Sequence, residues 1–300
     1  MKTKNNKEET GKPGFNKLQI YVTVAVVIVI IIVSTFFLLY SSPSSQPKAA
    51  LVDALSSSQL SEISRHVNQT FVETAQQQLH KRFSKVDYYS DNATVDEYTR
   101  LASKGYKVII WRAHSAVDPN NYVVISSSEK YVPGKYEQYS SSQLKLCNIT
   151  GDPTMYFGIT PDFVKECMDG RFEETVIIFM SCNGLNLDYL KTAEAFINKG
   201  VKAFISWNGW IDPSDNDHEV ALLLDYLIGQ NNTIYEAINK TARYNNPLYG
   251  WSKLDYYPKE SEVRDYRIPD YRQNNVGSSA EFAAIAVFRK KSLVNTVKLS

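Results

Sequence analysis

Thr175-Val-Ile-Ile-Phe-Met-Ser-Cys-Asn-Gly184 is an unbroken apolar run that ends on a thiol. Tyr106-Lys-Val-Ile-Ile-Trp-Arg-Ala-His114 has the same build and ends on an imidazole. Each is β-branched and aromatic, with glycine on one side and a polar segment on the other, so each reads as a short strand buried on both faces. Strands of that kind belong to parallel sheets covered by helices. In such sheets ligands bind in the crevice outside the carboxyl ends of the strands. Cys182 and His114 are therefore expected on one sheet edge, where an imidazole can serve a thiol as base.

The flanking sequence alternates in the same sense. A strand at 86–89 precedes a helix at about 95–104, opened by a capping box at Thr94-Val-Asp-Glu97 and closed by Gly105. After His114 come a strand at 122–126, a Ser- and Tyr-rich excursion to Thr150, a short strand at 155–157 and a helix from Thr160-Pro161. Beyond Cys182, Asp188 is expected to cap a helix ended by Gly200. The strand Val201–Trp207 follows, then a helix capped by Asp215, then a second capping box at Thr233-Ile-Tyr-Glu236. Residues 244–280 lack periodicity, and 281–288 read as a closing strand. The expected fold class is α/β, a mainly parallel sheet with helices on both faces.

Residues 18–40 carry no charge and only Gln19, Thr23, Ser34 and Thr35 as polar interruptions. As a helix they would reach about 34 Å, enough to cross a bilayer core of about 30 Å. A cleaved signal peptide is the competing reading, but its apolar region runs only about 7–15 residues. Lys2, Lys4, Lys7, Lys12 and Lys17 precede the segment, and residues 41–57 carry only Lys48. The positive-inside rule then puts a basic leader (1–17) in the cytoplasm and the rest outside the cell membrane. Residues 41–56 read as a Ser/Pro stalk. Residues 57–82 read as an amphipathic helix with a stripe of Leu60, Ile63, Val67, Phe71, Ala75 and Leu79. The α/β domain is expected at 83–290. Sequons at Asn68, Asn92, Asn148, Asn231 and Asn239 are candidate glycosylation sites on an exported glycoprotein. Among three cysteines, an oxidising compartment favours a Cys147–Cys167 disulfide with Cys182 free; three unpaired buried thiols are the alternative. Lys+Arg 33 against Asp+Glu 32, with no basic stripe, argues against a nucleic-acid partner.

The strand, then Ser181-Cys182-Asn183-Gly184, a helix, and Gly200-Val-Lys-Ala-Phe-Ile-Ser-Trp207 resemble the second half of a caspase-like domain. That is the three-layer fold of caspases, gingipains, separases and CHAT-type bacterial peptidases, and the pattern is most similar to CHAT-type and gingipain-like domains. The resemblance spans about residues 85–244. It implies a cysteine peptidase in which one strand delivers His114, the next core strand delivers Cys182, and the nucleophile stands in an x-Cys-x-Gly context. It also implies an oxyanion hole from the backbone N–H groups of Ser115 and Cys182. The family usually has His-Gly, and here Ser115 takes the place of that glycine.

A hydrolase of this kind would use Cys182 as nucleophile and His114 as base and then acid. Trp207, Trp210 and Asn208 could wall the substrate, and Asp212 and Asp215, with Asp217 nearby, could receive a basic side chain. Buried aromatic packing and helix capping account for the same residues. His66 and His80 are expected on the water-facing side of the amphipathic helix. His218 has no partners with metal-ligand spacing, and there is no His-Glu-x-x-His, Gly-x-Ser-x-Gly or P-loop motif. Neither metal nor cofactor is implied. The partner is a polypeptide substrate. Alternatively, the chain is a catalytically silent surface module whose Tyr-rich 244–280 region binds protein or glycan.

Overall fold

The computed structural model describes Tyr21, residues 26–31 and residues 46–272. The chain divides into two units, Met1–Ser45 and Gln46–Ser300. Among the described residues no helix is long and apolar enough to cross a membrane. The expected span at 18–40 lies outside them except for Tyr21 and 26–31, which are helical, and the expected strand at 281–288 lies outside them entirely.

The second unit runs β1 (Lys48–Asp53), α1 (Gln69–His80), β2 (Lys85–Tyr89), α2 (Val95–Arg100), β3 (Tyr106–Arg112), β4 (Ser115–Asp118), β5 (Tyr122–Lys130), β6 (Leu144–Asn148), β7 (Met155–Ile159), β8 (Thr175–Met180), α3 (Lys191–Asn198), β9 (Val201–Trp207), α4 (Pro213–Leu224), α5 (Ile234–Lys240), β10 (Arg243–Asn246) and β11 (Gly250–Tyr257). It is an α/β fold on a mixed seven-stranded sheet, order β10-β11-β9-β8-β3-β1-β2. From β2 to β9 the neighbours are parallel; β11 joins β9, and β10 joins β11, antiparallel. Alternation along the buried strands feeds two cores. Ile109, Trp111, Ile177, Phe179 and Phe204 face α2, α3 and the small sheet. Val108, Ile110, Val176, Ile178 and Ile205 face α1, α4 and α5.

Several sequence expectations are corrected. The end of the stalk is β1, with Ala49 through Asp53 fully buried between β2 and β3. Its four apolar residues have no periodicity to announce a strand, but they pair on both sides, with β2 and with β3. The expected helix at 57–82 begins only at Gln69, where the Asn68 side chain accepts the Phe71 N–H at 3.0 Å. Upstream, the serines of 57–64 bond carboxylates instead of continuing a helix: Ser57 and Ser58 engage Asp91, and Ser61 and Ser64 engage Asp152. Ile63 and Val67 of the expected stripe are consequently more than half exposed. The Ser- and Tyr-rich excursion extends the expected strand at 122–126 to Lys130 and adds β6, which with β4 and the expected strand at 155–157 make an antiparallel sheet, order β4-β5-β7-β6. The aperiodic Tyr-rich region contributes β10 and β11.

The caps also differ in part. Asp212, not Asp215, occupies the N-cap of α4, with Pro213 in its first turn. Asn186, not Asp188, caps the short turn before α3. Thr94 accepts from Glu97 N–H, but the Glu97 carboxylate turns to Arg100 and Lys104, so only half of that box forms. The box at Thr233 and Glu236 is complete.

Candidate active site

β3 and β8 are adjacent and parallel, with Arg112 paired to Met180. His114 and Cys182 follow these residues at equal distance, so the register alone delivers them to the same edge. They line one cavity of about 320 Å³, together with His66, Ser115, Cys147, Trp210, Ile211 and Asp212 among others. The turn after β8 is tight. Asn183 adopts a left-handed conformation at φ 58°, and its N–H bonds Gly209 O at 2.9 Å. Gly184 follows because a Cβ there would overlap Ser206 Oγ and lie 2.8 Å from Phe179. The glycine of the x-Cys-x-Gly context is thus required by close packing between β8 and β9.

His114 Nε2 lies 2.8 Å from the Ser64 carbonyl. A carbonyl only accepts, so Nε2 carries the proton and Nδ1 is the free acceptor. Burial lowers the His114 pKa to about 4, helped by His66 and Arg112 and opposed by the Ser64 carbonyl and Asp152. Cys182 Sγ makes a weak contact with Ile211 O at 3.5 Å. Burial raises its thiol pKa; the Ile211 carbonyl works the other way and the charge of Asp212 adds to the rise. The resting pair at neutral pH is accordingly thiol and neutral imidazole, and no hydrogen bond joins them.

Ser115 ties the two strand exits together. Its hydroxyl donates to Cys182 O at 2.8 Å and accepts from Ser181 Oγ at 2.7 Å. Ser126 N–H donates to His114 O, so by antiparallel alternation Ser115, opposite Ile125, turns its own N–H away from β5, at the free edge of the small sheet. Cys182 N–H has no acceptor among the described residues.

Beneath the cavity lies an ion cluster that sequence reading missed. Arg112, 1% exposed, makes a bidentate pair with Asp217 (2.7 Å twice) and reaches Asp53 at 2.9 Å and His66 O at 2.8 Å. It joins β1, β3, α4 and the 57–68 segment. Asp217 is thereby committed to structure. His66 belongs to that irregular segment rather than to a helix, and its ring sits 5.5 Å from His114, edge to face. Ser64, His66 and Arg112 carried no signal in sequence because each acts through a contact with a distant segment.

The remaining candidates divide. Asp212 and Trp210 line the cavity; Trp207, Asn208 and Asp215 do not. Trp207 is fully buried, with its Nε1–H on Asn216 Oδ1 at 2.8 Å. Asn208 bonds Lys253 of β11. The expected Cys147–Cys167 disulfide is absent: all three cysteines are free. Cys147 sits on β6 against Gly158, its thiol pushed up to about 12 by burial, whereas Cys167 ends the turn after Pro161 and packs at the margin of the core that holds Trp111 and Phe196. Asn92, Asn148, Asn231 and Asn239 are exposed, while Asn68 caps α1 and donates to Asp217 at 3.0 Å. No group of three or more His, Cys, Asp or Glu that could hold a metal occurs among the described residues. Comparison of the chain with protein-family models and with curated proteins finds no match.

Proposed function

We propose that this chain is a membrane-anchored, caspase-like cysteine peptidase that acts outside the cell through Cys182 and His114. The observation that carries the reading is the delivery of both residues from adjacent parallel strands into one cavity, with His114 held by its Nε2 so that Nδ1 is left unprotonated and able to accept. In the reaction, the Cys182 thiol gives its proton to His114 Nδ1 as sulfur attacks the substrate carbonyl. The carbonyl oxygen takes the negative charge, and the unpaired N–H groups of Ser115 and Cys182 are the donors proposed to hold it. His114 then protonates the leaving amine, and on the second pass draws a proton from the water that hydrolyses the thioester. Because the resting thiol is protonated, transfer accompanies attack rather than preceding it. Asp212, exposed at the cavity rim and the only carboxylate lining it among the described residues, favours a basic side chain beside the scissile bond. For the anchor, residues 26–31 are helical Val and Ile with about half of every side chain exposed, a surface that suits lipid.

The test is labelling by a peptidyl acyloxymethyl ketone ending in Arg, read on the Cys182 peptide by mass spectrometry. Labelling should fall at least about 100-fold in His114→Ala. Equal rates in both proteins would remove the peptidase reading. They would favour a silent binding module, for which the exposed stack of Trp210 on Tyr249 and the exposed Trp251 supply a contact surface.

A further inference from the structure

The turn that supplies the Ser64 carbonyl has no regular structure, yet Ser64 is fully buried. Asp152, in the loop between β6 and β7, holds it. Asp152 Oδ2 accepts from the hydroxyls of Ser61 and Ser64 and from Tyr156 OH at 2.9 Å, and Oδ1 accepts from Thr154 N–H at 2.8 Å. Tyr156 OH in turn accepts from Ser61 N–H at 2.9 Å. Asp152 is 2% exposed and has no ion-pair partner among the described residues. Burial works to raise its pKa, but the serine hydroxyls outweigh this and hold it well below the usual carboxylate range. A buried charge without a counter-ion is costly unless its hydrogen bonds are complete. Here two of the donors are the hydroxyls of the turn that meets His114.

We propose that Asp152 is a positioning residue for His114: by gripping Ser61 and Ser64 it fixes the Ser64 carbonyl on Nε2–H, and so selects the tautomer with Nδ1 unprotonated toward the cavity. A backbone carbonyl in an irregular turn is a poor fixed acceptor by itself; the carboxylate makes it one. The groups that face His114 are His66 and Arg112 on one side, Asp152 behind Ser64, and Cys182 and Asp212 across the cavity. The tautomer claim stands independently of the peptidase reading; only its consequence at Cys182 rests on that reading.

The experiment is nitrogen-15 NMR of the full-length chain labelled at its four histidines, with His114 assigned by loss of its signals in His114→Gln. The wild type should show His114 as one Nε2–H tautomer. Asp152→Asn should lower the Nε2–H to Nδ1–H ratio at least about tenfold, as should Ser61→Ala/Ser64→Ala, and the triple variant should be no worse than either. Labelling of Cys182 should fall in step. An unchanged tautomer in a folded Asp152→Asn protein overturns the proposal, as does strict additivity of the carboxylate and hydroxyl changes. If Asp152→Asn does not fold, Ser64→Ala alone, which leaves the carboxylate three donors, must shift the ratio in the same direction; no shift overturns the proposal. Absence of Cys182 labelling in the wild type would remove the peptidase reading while the tautomer ratio still decides this one.

Discussion

In the large sheet, β1, β3, β8 and β9 bury almost nothing but hydrocarbon until their carboxyl ends, whereas β5 of the small sheet buries Ser126, Ser127, Ser128 and Glu129. Each of these polar groups is answered. Ser127 Oγ donates to Phe157 O at 2.8 Å, Ser128 Oγ to Ala93 O at 3.1 Å, and Glu129 accepts from Tyr136 OH at 2.8 Å. Hydrophobic burial is non-directional and tolerates substitution, while buried hydrogen bonds fix position. The large sheet therefore supplies stability and brings Cys182 to the edge. The small sheet and the 57–68 segment place the groups around His114.

Four predictions would break or sharpen that contrast. The greatest effect is expected where the large sheet turns polar. Arg112→Met leaves Asp53 and Asp217 buried without their cation, and should cost about 3–5 kcal/mol. Urea denaturation is the measurement, and a cost under about 1 kcal/mol would mean the cluster is dispensable.

The second concerns pH. The His114 pKa is about 4 in the folded chain against 6.5 for the free side chain. Between these values the unfolded chain binds more protons, so the contribution is complete above pH 6.5 and is lost as pH falls toward 4. The full swing is about 3 kcal/mol as an upper bound, of which about 2 kcal/mol is gone by pH 5. Unfolding midpoints at pH 7.5 and 5.0 should differ less in His114→Gln than in wild type. His66, lowered by burial and by Arg112, adds slope in the same direction near its ordinary range.

A third comparison sets the glycine of the turn after β8 beside one within the small sheet. Gly184→Ala drives a methyl into Ser206 and Phe179 on the large sheet, and Gly158→Ala drives one into Cys147 and to 2.7 Å from Val124 on the small sheet. Both should cost about 1–3 kcal/mol. Gly184→Ala should also displace the Cys182 turn, so labelling should fall further than stability explains, whereas Gly158→Ala should leave labelling proportional to the folded fraction. Equal behaviour of the two would show that the Cys182 turn does not depend on the Gly184 packing.

The smallest effect belongs to Asp212→Asn. Removing that charge relieves part of what raises the Cys182 thiol, so iodoacetamide should alkylate Cys182 a few-fold faster at pH 7.5, in line with about 1 kcal/mol or less for a rim charge. Arg-ended electrophiles should lose their advantage over neutral ones. A slower reaction with iodoacetamide would contradict the assigned electrostatics.

The strands carrying Cys182 and His114 were legible in sequence because a strand buried on both faces must be apolar throughout, and that composition is local. The same holds for the capping box at Thr233 and for the alternation of strands and helices. β1 was not legible. Ala49-Ala50-Leu51-Val52 has no periodicity of its own and becomes a strand because β2 and β3 offer hydrogen bonds on both sides. Of the small sheet, β5 and β7 were legible from their apolar starts, but β4, β6 and the serine end of β5 were not, since buried serines look like a loop until their acceptors are known. Only tertiary structure decided which carboxylates near the site are structural: Asp217 is held by Arg112 and Asp152 by two serines, while Asp212 remains at the rim. Sequence determines composition and period, which choose the element; the buried Asp217 finds its cation 105 residues away and a further donor, Asn68, 149 residues away, and only the folded chain brings them together.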